Sequence, residues 1–100
     1  MKSTLILDRH VIDSLLPDLV GHDRRAAAFV LYLWLWTMTL GAGRPSAFLS
    51  YQTLSDRTGL SKRSVQRAVA WLERRQLLRV VRRSTTAVPE YVVLTPWRRA

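Results

Sequence analysis

The sequence predicts a mainly helical α+β fold: an N-terminal helical extension, two helices joined by a tight turn, and a C-terminal β-hairpin. Three observations carry this prediction. Val65, Ala68, Val69 and Leu72 recur at i, i+3, i+4 and i+7, the spacing of one helix face. Ser50 and Ser61 each precede a helical pattern as N-cap residues, and Gly59 between them supplies the left-handed conformation that stops the first helix. Downstream, Leu77–Arg83 and Tyr91–Thr95 are β-rich runs separated by the polar stretch Ser84–Glu90, which contains Pro89.

The elements read in order as follows. Lys2–Leu7 is a short apolar stretch that suits an edge strand. Asp8 is placed to cap a short helix, His10–Leu16, with Val11, Ile12 and Leu15 on one side and Pro17 marking its end or a break. Asp23 is an N-cap candidate for one long helix, Arg24–Leu40, stopped by Gly41 and Gly43. That helix is apolar nearly all round, so it must be covered on more than one side. The core can cover one face; the N-terminal segment or a second copy of the chain can cover the rest. Its aromatic part, Tyr32, Trp34 and Trp36, is therefore the candidate dimer face, with burial inside the protomer as the alternative.

Ala47–Ser50 suits a short strand leading into a helix over Tyr51–Thr58, with Leu54 as its inward anchor. Ser55 is small enough to let a second helix approach. Leu60 turns inward, and Lys62–Arg75 forms the second helix. At 100° per residue its apolar positions define an inward face, and Arg63, Arg67, Ala70 and Arg74 point away from it. Gln66 lies on one flank, Ser64 and Trp71 on the other. Pro96 ends the second β-run. The whole chain, residues 1–100, is expected to form one domain, with 1–47 as extension and long helix and 48–97 as the two-helix unit with its hairpin.

Charge is unevenly distributed. The chain carries 16 Lys and Arg against 7 Asp and Glu, a formal +9. Residues 1–49 hold five basic against four acidic side chains, whereas residues 50–100 hold eleven against three. A basic half joined to a near-neutral half points to a polyanionic partner. The excess is mostly Arg, whose planar guanidinium suits phosphate and guanine. Cysteine is absent, which excludes disulfides, thiolate nucleophiles and Cys-ligated zinc and fits a cytoplasmic location. The longest apolar run, Ala26–Trp36, falls well short of the roughly 20 residues a bilayer span needs.

A short helix, a tight glycine-containing turn and a longer helix make a helix-turn-helix. Its second helix must present groups that reach base edges and phosphates. Arg63, Gln66 and Arg67 are the best-directed readers, since Arg bonds bidentately to guanine and Gln to adenine. Ser61, Lys62 and Ser64 sit at the helix N-terminus, where hydroxyls and backbone N–H groups can hold a phosphate. Arg74 is further along and suits backbone contact. Arg79, Arg82 and Arg83 extend the basic surface onto the hairpin and are expected on its strands.

The stretch LSYQTLSDRTGLSKRSVQRAVAWLERRQLLRVVRR, closed by YVVLTP, resembles the winged helix-turn-helix domains of bacterial and phage regulators and replication initiators. The resemblance covers about half of the chain firmly; LDRHVIDSLLPDLVGHDRRAAAFVLYLW is a looser match to the lead-in of such domains. It implies that Ser61–Arg75 is the recognition helix and Leu77–Thr95 the wing. It also implies DNA contact by Lys62, Arg63, Gln66 and Arg67, and backbone or minor-groove contact by the wing arginines. Two features depart from the pattern. Gln76 stands where a glycine is usual between recognition helix and wing, so it must bear left-handed strain of about 1 kcal/mol or make a different turn. The wing tip Ser84–Pro89 carries no Arg or Lys, which favours phosphate contact over deep minor-groove insertion.

Nothing in the sequence assembles catalytic chemistry. His10 and His22 are the only histidines, and the four glycines form no phosphate loop. No catalytic residue, metal site, cofactor or small-molecule ligand is expected. The expected partners are double-stranded DNA and a second copy of the chain, with no membrane. A small transcriptional regulator is the first functional reading; a replication-initiator-type domain or a winged helix used for protein assembly is the alternative. Trp71, off the core face of its helix, is expected to pack on a neighbouring element.

Overall fold

The computed structural model describes residues 4–98. The chain enters through an extended Thr4–Leu7 and then winds through two π-helical turns, Val11–Leu15 and Pro17–His22. Helix α1 (Ala26–Met38) follows and ends in a 3-10 turn, Leu40–Ala42. Strand β1 (Ala47–Phe48) leads into α2 (Tyr51–Thr58) and α3 (Lys62–Arg74). Strands β2 (Leu78–Val81) and β3 (Glu90–Val93) close the fold. The sheet is antiparallel, with order β1-β3-β2.

Helix α1 is the centre of the molecule. It packs on α3, α2, β3 and the N-terminal π segment. Ala28, Phe29, Leu31, Tyr32, Leu35 and Trp36 are all buried, on more than one side of the helix. Two polar anchors show why an all-round apolar helix is stable here. The Tyr32 hydroxyl donates to the Leu94 carbonyl at 2.8 Å, beside the sheet. The Trp36 indole donates to the Ile6 carbonyl at 2.9 Å, in the N-terminal segment. Both aromatic side chains thus bury their rings and still satisfy their polar ends. Burial also pushes the Tyr32 phenol ionisation well up.

This corrects part of the dimer-face expectation. Tyr32 and Trp36 are 0% and 2% exposed, so the protomer itself covers them and neither can anchor a second copy. Trp34 is only partly buried, one turn from the exposed Val30.

The N-terminal half differs from expectation, or narrows it, in three further respects. Thr4–Leu7 forms no strand, and Lys2 and Ser3 lie outside the described residues. Pro17 marks a break and not an end: it takes the first position of the second π turn, where a missing N–H loses little. Asp8 and Asp23 are not side-chain caps. Arg25, at the N-cap of α1, makes no side-chain cap bond, and the helix starts at Ala26. Asp8 instead accepts bonds from the Trp97 indole at 2.9 Å and from Arg98 at 2.6 and 2.7 Å. Trp97 stacks between His10 and Trp36, at 4.4 and 6.5 Å between centroids. The C-terminal end is therefore tied back to the N-terminal segment.

The remaining core joins α2, α3 and the sheet to α1. Leu54 of α2, Val65, Ala68, Val69 and Leu72 of α3, Leu77, Leu78, Tyr91 and Val93 are all buried in one cluster with the α1 side chains. The four α3 positions are those the periodicity marks as inward.

Candidate nucleic-acid interface

The turn between α2 and α3 is fixed by short-range hydrogen bonds. Ser50 caps α2 by accepting from the Thr53 N–H at 3.1 Å. Gly59 ends it at φ 81°, in the left-handed region that glycine enters without a Cβ penalty. The Ser55 hydroxyl donates across the turn to the Leu60 carbonyl at 2.6 Å. The Thr58 hydroxyl donates to the Leu54 carbonyl at 2.6 Å and accepts from the Leu60 N–H at 3.2 Å. Ser61 then caps α3, accepting from the Ser64 N–H at 3.1 Å. These bonds satisfy groups that a helix end leaves orphaned and hold α3 at a set angle to α2.

With its apolar face inward, α3 leaves Lys62, Arg63, Gln66, Arg67, Ala70 and Arg74 exposed. Among the described residues, Lys62, Arg63, Arg67 and Arg74 have no ion-pair partner. Ser61 is exposed and Ser64 half-buried; the Ser61 hydroxyl, which caps the helix, also donates to the Ser64 hydroxyl at 3.1 Å. Both hydroxyls are therefore already engaged within the chain.

The wing arginines do not act alike. Arg79 lies on β2 opposite Val92, exposed and without an ion pair among the described residues. Arg82 and Arg83 are not on the strand, which stops at Val81; they begin the loop to β3. Arg82 reaches back to Glu73 of α3 at 3.2 Å, and Arg83 pairs with Glu90 of β3 at 3.1 Å. Hydrogen bonding to Glu73 first, and Tyr51 after it, raises the ionisation of Arg82 further. The Ser46 hydroxyl at 2.6 Å, ahead of Arg83, holds the Glu90 carboxyl below its ordinary range. Both arginines thus already have a carboxylate partner within the protein, and exposed pairs of this kind contribute roughly 0–1 kcal/mol.

Gln76 adopts φ 58°. The Leu77 N–H bonds the Leu72 carbonyl at 2.9 Å and the Gln76 N–H bonds the Glu73 carbonyl at 3.0 Å. This is the Schellman pattern of a helix C-terminus, and it accepts glutamine in a position that glycine fills at no steric cost. Of the two alternatives open at this residue, left-handed strain is the one realised.

Two features carry no obvious mark in the sequence. The first is a polar tie at Asp23, whose side chain is only 6% exposed. Its carboxylate accepts from the Trp71 indole at 2.9 Å, from His22 at 3.1 Å and from the Arg75 guanidinium. Burial opposes ionisation, but the Trp71 and His22 bonds and the Arg75 charge outweigh it and hold the carboxyl below its ordinary value. Trp71 thus packs against the lead-in to α1. The second is Arg25, whose guanidinium lies 4.4 Å from the centroid of the Trp71 ring. A signal for it does exist: Arg24 and Arg25 stand at the start of α1 with no acidic residue in its first turn, against the preference set by the helix dipole.

Among the described residues no helix is long and apolar enough to cross a membrane. No group of three or more metal-ligating side chains is placed to hold an ion among them either. Two helices on a hydrogen-bonded turn, an unpaired cationic face on the second, and an adjoining β-hairpin define a winged helix-turn-helix protein. Residues 25–78 match the family model described as a helix-turn-helix domain, and the chain belongs to that family. The match runs from the start of α1 to the first residue of β2, so the lead-in helix belongs to the family unit and most of the wing follows it. Membership supports DNA binding, and the family is typically non-enzymatic. Neither a curated protein nor a solved structure matches the chain.

Proposed function

We propose that the protein binds double-stranded DNA sequence-specifically and acts as a small transcriptional regulator, with α3 in the major groove. The observation that carries this reading is the outward face of α3: Lys62, Arg63, Arg67 and Arg74 exposed, with no carboxylate partner among the described residues, on the second helix of a helix-turn-helix. Unpaired cations repel one another, and a phosphate backbone relieves that repulsion. Arg63, Gln66 and Arg67 are the base readers. Lys62 and the α3 N-terminus, with Ser61 and Ser64, meet phosphate, as do Arg74 and Arg79. Arg82 and Arg83 contribute more weakly, because Glu73 and Glu90 already hold them.

The regulator would act in the cytoplasm as a homodimer on a two-fold site. Its contact would lie on the α1 stripe of Val30 and Trp34, which the core leaves partly open. Fluorescence anisotropy with a random duplex tests DNA binding. With about four to six phosphates neutralised, log Kobs should fall against log salt with a slope of about −4 to −5. Absence of binding at about 50 mM salt would overturn the reading and leave a winged helix used for protein assembly. Selection from a random DNA pool tests specificity and symmetry together: a palindromic winner supports the dimer, and an asymmetric site removes it.

A further inference from the structure

A second cationic site adjoins the proposed reading face. Arg25, Arg67 and Arg74 line one open cleft of about 420 Å³, together with Ala70 and Trp71. Arg25 comes from the N-terminal end of α1, and the other residues come from one flank of α3. None of the three arginines has a carboxylate partner among the described residues. Two of them share one aromatic ring: the Arg25 and Arg74 guanidiniums lie 4.4 and 5.7 Å from the Trp71 centroid. That ring is held in place, because its indole N–H is bonded to the nearly buried Asp23. The floor of the cleft is therefore fixed before any ligand arrives.

Three positive charges in one cleft, one of them at the positive end of a helix dipole, are unfavourable without an anion. The cation–π contacts with Trp71, at 4.4 and 5.7 Å, offset part of that cost, and a guanidinium carries N–H donors that can still bond an oxygen ligand. The backbone just before Arg25 is constrained as well, with Arg24 at φ 55°. Strain of this kind concentrates where a side chain must be aimed. Arg67 and Arg74 leave α3 two turns apart, about 10 Å along its axis. A strand of phosphodiesters, with one charge per roughly 3.4 Å of duplex axis, matches that distribution better than one small ion does.

We propose that Arg25 and Arg74, seated on Trp71, clamp backbone phosphates of one DNA strand at the wall of the groove that α3 enters. This inference rests on the DNA-binding reading and adds to it a contact from outside the two-helix unit. Arg67 stands between the two surfaces, reaching the bases on one side and lining the clamp on the other.

The test compares the full chain with Arg25→Gln and Arg25→Lys. Arg25 is exposed and makes no capping bond, so neither change removes a core contact. With Arg25→Gln the log–log salt slope for duplex binding should fall by about 0.9, the value of one lost phosphate contact, while the ranking of DNA sequences stays the same. Arg25→Lys, which keeps the charge and loses the guanidinium, should restore the slope. In the wild type, duplex DNA should shift the Trp71 indole N–H resonance, and inorganic phosphate alone at constant ionic strength should not. Wild-type binding with an unchanged slope in Arg25→Gln would overturn the clamp and leave the DNA reading intact. A Trp71 shift that saturates with inorganic phosphate would overturn it in favour of a small phosphorylated ligand. Failure of the wild type to bind duplex at low salt would overturn the DNA reading itself, and the clamp with it.

Discussion

Asp23→Ala is the single substitution that reports most directly on how the N-terminal half holds α3. The mutation removes the acceptor of three contacts: the Trp71 indole bond at 2.9 Å, the Arg75 ion pair and the His22 bond at 3.1 Å. They are unequal. His22 is 83% exposed, so its bond contributes little. Arg75 is one-third exposed and has Asp18 at 3.6 Å as a second partner, so loss of its pair is partly made good, and about 0.5–1 kcal/mol is expected there. The indole bond to a nearly buried carboxylate is charge-assisted and is worth about 1.5–2 kcal/mol. The total is about 2–3 kcal/mol. For a chain of this length each kcal/mol shifts Tm by about 4–8 °C, so a fall on the order of 10–20 °C is expected. Thermal and urea denaturation followed by circular dichroism measure it. A double-mutant cycle with Trp71→Phe isolates the indole term, which should appear as a coupling of about 1–2 kcal/mol. A loss below about 0.5 kcal/mol for Asp23→Ala, or strict additivity in the cycle, would refute the claim that this tie holds the helices together.

Three further outcomes follow from the same structure. Arg63→Ala combined with Arg67→Ala should abolish preference for a selected site, at about 1–3 kcal/mol per base contact, with little change in Tm because both residues are exposed; competition binding reads the first and calorimetry the second. Gln76→Gly should stabilise the protein slightly, by up to about 0.5 kcal/mol, since relief of about 1 kcal/mol of left-handed strain at φ 58° is partly offset by the added freedom of the unfolded chain; a lower urea midpoint would contradict this. Asp8, bonded first to Arg98 and then to Trp97, and Asp23 both ionise below the ordinary 3.8, so the stability they contribute is complete above that pH and is lost as pH falls through their lowered folded values. Urea midpoints measured from about pH 6 down to pH 2 should show this fall, and Asp23→Asn should flatten it.

Local punctuation made the two-helix unit legible. Ser50, Gly59 and Ser61 act through bonds and φ angles that involve near neighbours, and the structure realises each as read. The α3 face was legible for a similar reason: Val65, Ala68, Val69 and Leu72 share one side at helical spacing, and all four are buried. Gln76 was legible as a strain problem because helix-end geometry is local too. The long-range pairings were not legible. Asp8 and Asp23 look like N-caps by position, yet each carboxylate is used 48 to 90 residues away, by Trp71, Arg75, Trp97 and Arg98. Local propensity gives no access to a partner that only folding brings near. Tyr32 and Trp36 failed as dimer contacts for a related reason. The apolar surface of α1 shows that cover is needed but not what supplies it, and here the polar ends of the two rings bond the Leu94 and Ile6 carbonyls, far off in the sequence.

The two left-handed non-glycine residues among the described residues belong to the same problem. Arg24 directly follows Asp23, and Gln76 directly follows Arg75. Asp23 and Arg75 are the C-cap residues of the second π turn and of α3, and they form an ion pair with each other. Each helix therefore ends at a residue of the pair and turns away through a strained one. The turn after Asp23 delivers Arg25 to the Trp71 ring. The turn after Arg75 sets Leu77 and Leu78 into the core and starts the wing. A helix end that strays by one residue would move either the arginine or the wing relative to α3. Strain of about 1 kcal/mol at each turn is small against the 2–3 kcal/mol expected of the Asp23 tie, so the tie can hold both turns in place. On this argument Asp23 positions the whole cationic surface although it contacts none of the proposed readers. Asp23→Ala should therefore weaken DNA binding by more than its loss of folded population accounts for, and binding measured well below Tm, where the variant is still folded, separates the two effects.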